Sequence, residues 1–339
     1  MRRLRIIFLR LLGLLLVLSL IALLAIGWLG SARLISPPRR ALQDYHREIL
    51  DDPARFGLSV TNFTSTGDTP CLMVTPARKP KPAHKSRQLR QSLRTRGIEP
   101  PRWGEIRGTV VLLHGHTGRK EDHLPICERF FAAGFRCLLP DLPSHGDHPS
   151  NVATFGKNEA ELIEDILEDA AVTFGFNDQP AFLFGISQGG AIALQTAARS
   201  PERWSGIASA ASFSSLDRAI RDSAESIHPK LHACASLNSF AVHCGSWCRS
   251  GMWPSDIRPR DAASQLHMPV MIIHGESDSF IGIDHAHEIF KALPSPTKVF
   301  RPVPEAGHGR VLAQDADQLY PEICGFFLKA IDGTLAMEF

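Results

Sequence analysis

Gly185-Ile186-Ser187-Gln188-Gly189, with Gly190 next, is a G-x-S-x-G stretch set between an apolar run, AFLF, and the helix-compatible AIALQTAA. A serine on a sharp strand-to-helix turn has its hydroxyl lifted above the sheet, while the first N–H groups of the new helix face the reacting carbonyl. Bulky residues two places either side would strike neighbouring backbone, so the glycines belong to the chemistry. The pattern alone is common; its position between a strand and a helix makes it informative. Such a serine needs a base, a group to orient the base, and a second oxyanion donor. The base is expected last, and His308 in EAGHG is the histidine placed after a late strand, KVFRPV, and before the closing helical pattern. The orienting acid is expected between them, and MIIHGESD offers Asp278, three residues beyond the turn glycine. The order Ser187, Asp278, His308 is the chain order of one particular triad architecture. HGHTG, residues 114–118, closes an earlier apolar strand, so the oxyanion is expected to rest on the backbone N–H groups of His116 and Gln188.

Rival roles for these residue types are weaker. The chain carries 15 histidines, most of them expected at the surface or in structural turns. His114 reads as a turn-stabilising residue, and His285 and His287 as surface positions on a helix. Glu276 and Asp284 are the other carboxylates near Asp278, and Glu276 reads as a loop carboxylate. A metal site from His243, Cys244 and Cys248, with His232 or Cys234, matches no established zinc spacing. No metal or organic cofactor is required.

The elements that must hold these residues alternate. GTVVLL, FRCLLPD, AFLFGI, SGIASA, MPVMIIHG and TKVFRPV are strand candidates, several of them nearly continuous in apolar residues. Helical patterns fall between them, as in HLPICERFFAAGF and KNEAELIEDILEDAAVTFGF. Such an alternation predicts an α/β fold, a mostly parallel sheet with helices on both faces. The stretch from about 212 to 265 breaks the alternation and predicts a small helical cap. Leu58–Phe63 and Cys71–Thr75 read as two short strands. The expected organisation is a membrane anchor over 1–35, a linker with short strands and a basic segment over 36–107, and a catalytic domain over 108–339.

Apolar residues make up 44% of the 339-residue chain and charged residues 21%, which excludes a disordered chain. A net charge of +2 selects no partner. Arg2, Arg3, Arg5 and Arg10 precede an apolar run from Leu11 to Leu29, which as a helix spans roughly 28 Å. The run is longer than the usual core of a signal peptide, which favours an uncleaved single-pass anchor over a cleaved leader ending near Gly30 and Ala32. The leading arginines favour a cytoplasmic N-terminus and a catalytic domain outside the cytoplasm, although Arg33, Arg39, Arg40 and Arg47 weaken the bias. Nine cations and one acid, Glu99, lie between Arg78 and Arg102. That segment reads as a solvated loop able to meet anionic lipid; without interleaved aromatics, nucleic acid is a poor partner. Seven cysteines in no framework spacing give no disulfide pairing, and Cys137 reads as a buried thiol.

From Gly108 to Ala330 the motifs resemble those of the α/β-hydrolase superfamily, most closely its serine carboxylesterases and monoacylglycerol-lipase-like hydrolases. HGHTG looks like the oxyanion loop, GISQGG the nucleophile elbow, HGESD the acid loop and AGHG the histidine loop. DLPSHGDH, from Asp141 to His148, is similar to the family's loop after the next strand, with His145 in place of its first glycine. The serine at the elbow argues against the dienelactone-hydrolase branch. The resemblance implies cleavage of a carboxylic ester through an acyl-enzyme on Ser187, and the anchor suggests a lipid-derived ester. The alternatives are acyl transfer, thioester or amide cleavage on the same fold, and a membrane-tethered binding module without catalysis.

Overall fold

The computed structural model describes residues 2–77, 83–227 and 232–335, without the side chains of 226, 227 and 232–234. It opens with α1 (Arg2–Ile35) and α2 (Asp44–Asp51), followed by β1 (Leu58–Ser65), β2 (Thr69–Pro76) and α3 (His84–Thr95). Next come β3 (Gly108–Leu113), α4 (Leu124–Ala132), β4 (Phe135–Pro140), α5 (Glu159–Phe174), β5 (Ala181–Ile186) and α6 (Gln188–Arg199). After β6 (Gly206–Ala210) stand α7 (Leu216–Ile227), α8 (His232–Ser250) and the short α9 (Pro259–Ala263). The chain closes with β7 (Val270–Gly275), α10 (Ile283–Ala292), β8 (Lys298–Val303) and α11 (Ala316–Asp332).

One eight-stranded sheet runs in the order β1-β2-β4-β3-β5-β6-β7-β8. β1 pairs with β2 and β2 with β4 antiparallel, and every later pairing is parallel. All six residues of β3 and all six of β7 are buried, as strands covered on both faces must be. The two-residue period of a strand divides them cleanly. Val110 and Leu112 join Phe130, Phe135, Phe182 and Phe327 on the face covered by α3, α4 and α11. Val111 and Leu113 join Ile163, Leu183 and Ile192 on the face covered by α5, α6 and α10. A third cluster, including Ile35, Phe155, Phe213, Leu216 and Ile281, joins the end of α1 and the start of α7 to the body.

Three features differ from the sequence expectation. The strands at 58–76 are the antiparallel edge of the same sheet, so the body extends ahead of residue 108. The basic segment is not wholly a loop. Within it α3 buries Leu89 and Leu93 against the core, and its Arg90 guanidinium bonds the Pro101 and Ala132 carbonyls at 2.7 and 3.0 Å. Arg78, Lys79 and Lys81 lie outside the described residues. Finally, α1 ends at Ile35, the bound expected for the anchor, but its C-terminal end packs along α8, where Gly27, Ser31 and Ile35 are buried.

Candidate active site

The strand-turn-helix at β5 and α6 fixes the serine. Ser187 adopts φ 55° and ψ −117°, a left-handed conformation costly for a residue with a Cβ. Its N–H donates to the Ala210 carbonyl on β6 at 2.8 Å, which holds the turn in that state. A Cβ on Gly185 would collide with the backbone of Gly189, and a Cβ on Gly189 with the Leu113 carbonyl of β3. The two glycines of the motif are therefore dictated by the closeness of helix, turn and neighbouring strand.

Ser187, Asp278 and His308, far apart in sequence, meet in one line. The Ser187 Oγ lies 3.0 Å from His308 Nε2, and His308 Nδ1 lies 2.7 Å from Asp278 Oδ2. His308 opens a short 3-10 turn after β8, and its ring meets Phe280 edge-on at 5.0 Å. Asp278 follows β7. Its Oδ1 accepts the N–H groups of Phe280 and Ile281 at 3.0 and 2.9 Å, and His274 stands 3.5 Å from Oδ2. Burial alone would raise the Asp278 carboxyl, but bonds from His274, His308 and Ile281 hold it well below the ordinary carboxylate range. The carboxylate is thus ionised, oriented and aimed at one ring nitrogen. His274, to which the sequence reading gave no role, is part of that orientation. Glu276 and Asp284 are exposed and do not join this line.

The expected oxyanion donors flank the serine. Gln188 opens α6, so its N–H is one of the first-turn donors that have no partner inside the helix. The loop carrying His116 abuts the elbow: a Cβ on Gly115 would stand 3.5 Å from Ser187 Cβ. His114 is occupied on both ring nitrogens, bonding the Gly115 carbonyl through Nδ1 at 2.9 Å and accepting the Leu142 N–H at Nε2 at 3.0 Å. Complete burial pushes its pKa down to about 4 and keeps the ring neutral.

Behind this loop lies a charged brace that the sequence did not single out. Asp141 accepts from the Lys120 N–H at 2.8 Å, the Lys120 ammonium at 2.7 Å and the Asp147 N–H at 2.8 Å. Lys120 Nζ also bonds Asp147 at 2.8 Å, and Arg119 bonds Glu121 and Asp147. Burial disfavours the lysine charge, yet Asp141, Asp147 and Glu121 together outweigh it and raise the Lys120 pKa. His285 also departs from its expected surface position. It is fully buried, with Ser214 at 2.8 Å on one nitrogen and Asp222 at 2.9 Å on the other, tying α7 to α10.

Two cavities open at Ser187. One, of about 730 Å³, is lined by Arg40, Tyr45, Lys85, Asp122 and His308 among others. The second, of about 500 Å³, runs beneath α7 and α8 between mainly apolar side chains. Among the described residues no group of three or more His, Cys, Asp or Glu could hold a metal. The side chains of His232 and Cys234 lie outside the described residues. Cys244 and Cys248 are free thiols, as are Cys71, Cys127, Cys137 and Cys324.

Residues 104–242 match the model of the family described as serine aminopeptidase, S33. Over 109 residues the chain is 32% identical to the caffeoylshikimate esterase of Arabidopsis thaliana, a match covering 31% of this chain and 32% of that protein. Over 96 residues it is 29% identical to the thermostable monoacylglycerol lipase of Bacillus sp. (strain H-257), covering 27% of this chain and 36% of that one. The matches thus span about a third of each curated relative. In three dimensions the chain is similar to an esterase of Pyrococcus furiosus, with a TM-score of 0.61 at 15% identity over 87% of this chain and 97% of that one. The chain has the α/β-hydrolase fold, and its sequence similarities lie in the esterase- and lipase-like branch of that superfamily.

Proposed function

We propose that this protein is a serine hydrolase that cleaves a carboxylic ester through an acyl-enzyme on Ser187. The observation that carries the reading is the continuous line from Ser187 Oγ to His308 to the buried Asp278 carboxylate. In this mechanism His308 Nε2 takes the hydroxyl proton as Oγ attacks the ester carbonyl. Asp278 holds the Nδ1 proton and stabilises the imidazolium. The oxyanion rests on the N–H groups of His116 and Gln188, each worth about 3 kcal/mol of transition-state stabilisation. The leaving alcohol takes the proton from His308. A water, deprotonated in turn by His308, attacks the acyl carbonyl and frees the acid.

The two cavities support an amphiphilic, lipid-derived substrate, with its polar group among Arg40, Lys85 and Asp122 and its acyl chain beneath the cap. In the same reading residues 1–35 hold the protein in the membrane, with the catalytic body outside the cytoplasm and the cap near 212–265. The apolar helix α1, long enough to cross a bilayer, supports the anchor, and the arginines ahead of its apolar run support the orientation. The test uses the full chain in detergent micelles with p-nitrophenyl esters from C2 to C16 and a fluorophosphonate probe. Ester turnover with covalent labelling at Ser187 is expected. A wild-type protein that neither turns over any ester nor takes up the probe would end the reading.

A further inference from the structure

We propose that the last turns of α1 form one wall of the acyl-chain site, so that the membrane helix is part of the substrate pocket as well as its tether. The proposal rests on the ester-hydrolase reading and adds to it where the acyl chain lies and what shapes its fit.

The cavity beneath the cap begins at Ser187 and Gln188 and passes between Leu216 and Ile220 of α7 and Ile26, Gly30 and Leu34 of α1. Its size is that of a small-molecule site, and its lining is mainly apolar, with Arg33 of α1, Ser223 of α7 and Asn238 and Ser239 of α8 as the polar side chains away from the serine. The spacing of 26, 30 and 34 puts one residue per turn on the cavity side of α1.

The position of that wall is fixed at three places. Small residues let α1 and α8 approach closely. A Cβ on Gly27 would stand 2.6 Å from the Ala241 carbonyl, and one on Gly245 would stand 2.5 Å from the Gly27 carbonyl. Arg249 of α8 bonds Ser31 Oγ and the Trp28 carbonyl, each at 3.1 Å, with its guanidinium 3.8 Å over the Trp28 ring. At the end of the helix the Leu34 carbonyl accepts from His116 Nε2 at 3.1 Å, and the Ile35 carbonyl accepts the Ala153 N–H at 2.9 Å. The helix end is therefore joined to the same loop whose backbone faces the reacting carbonyl.

The outer surface gives the route. Exposed apolar side chains run along α1 from Leu4 to Leu29 and continue onto Leu237, Phe240 and Trp247 of α8. In the proposal an acyl chain leaves the bilayer along this surface and enters the cavity at Ile26.

Full-length wild type, Ile26→Trp, Ile220→Trp and the control Leu16→Trp are compared in one detergent on p-nitrophenyl palmitate and butyrate. The ratio of kcat/KM for palmitate to butyrate is expected to fall about tenfold in Ile26→Trp and Ile220→Trp, as loss of acyl contacts in a narrowed apolar pocket should cause, and to stay level in Leu16→Trp. Butyrate turnover reports that the site is assembled. An unchanged ratio in Ile26→Trp, or an equal fall in Leu16→Trp, overturns the proposal while leaving the hydrolase reading intact. A wild type inert to both esters and to fluorophosphonate removes both. A second measurement avoids the bulky substitution. In Ile26→Cys, hexadecyl fluorophosphonate on Ser187 is expected to shield the introduced thiol from maleimide, and methyl fluorophosphonate is not. Equal thiol reactivity after either probe also overturns the proposal.

Discussion

The two cavities share His116, Ser187 and Phe280, yet they are built from different parts of the chain. The larger is framed by the loops of β3 and β8 and by the starts of α4 and α11, elements packed on the sheet, with Arg40, Lys85 and Asp122 at its polar side. The smaller is framed by α1, α7 and α8, which stand off the sheet and pack mainly on one another. In the proposed mechanism bond cleavage depends on groups fixed by the sheet, whereas the proposed fit of an acyl chain depends on helices that the sheet does not need for its own closure. A change to the shared line should silence substrates of every chain length alike, and a change to one cavity should alter only preference.

Ser187→Ala offers the largest effect. Its kcat on short and long esters alike should fall by roughly three orders of magnitude or more, measured beside wild type at saturating ester. A loss confined to long esters would break the comparison at its root. Asp278→Asn keeps the shape but offers His308 Nδ1 the wrong partner, and kcat should drop by about 10³–10⁴ with little change in KM.

Lys120→Met leaves Asp141 buried without its cation, and loss of one partner of a buried pair costs about 3–5 kcal/mol. Chemical denaturation of the full chain in detergent should show that loss, together with weaker turnover on both ester lengths, because the brace supports the shared loop. Thermal stability against pH checks His114. Its folded pKa, about 4, lies below the ordinary histidine value, so the unfolded chain takes the proton first. This contribution to stability is present above about pH 6.5 and is lost as pH falls toward 4. The melting temperature of His114→Gln should fall less steeply over that window than that of wild type. The smallest effect belongs to the polar cavity. Arg40→Ala with Lys85→Ala should raise KM about two- to fivefold for esters with an anionic leaving group and leave neutral esters unaffected, in a salt-dependent manner.

Much of the sheet-borne half was legible in the residues. Apolar runs such as GTVVLL and VMIIHG are stamped by burial on both faces, and Gly185 is stamped by the closeness of the Gly189 backbone, although Gly189 itself answers to the distant Leu113 carbonyl. Signals of that kind lie within a few residues of one another. Lys120, Asp141, His274 and His285 gave no such signal, because a lysine or histidine in a string does not announce whether its partner, 4, 21 or 71 residues away, will share its burial. The C-terminal turns of α1 carry, in sequence, the end of an apolar run, the small Gly30 and Ala32 of the alternative leader end and the flanking Arg33, but hydropathy registers composition and is blind to which face will meet a neighbour.

By itself, then, the sequence determined the alternating α/β pattern, the elbow around Ser187, the order of the candidate triad and the presence of a long apolar N-terminal helix. These follow from short-range sterics and from the periodicity of burial. Only the tertiary structure decided that 58–76 completes the sheet, that the Lys120 brace stands behind the 114–118 loop, and that α1 ends against α8 and His116. Each of those contacts joins residues some 20 to more than 200 positions apart, and which partners meet is set by the packing of whole elements.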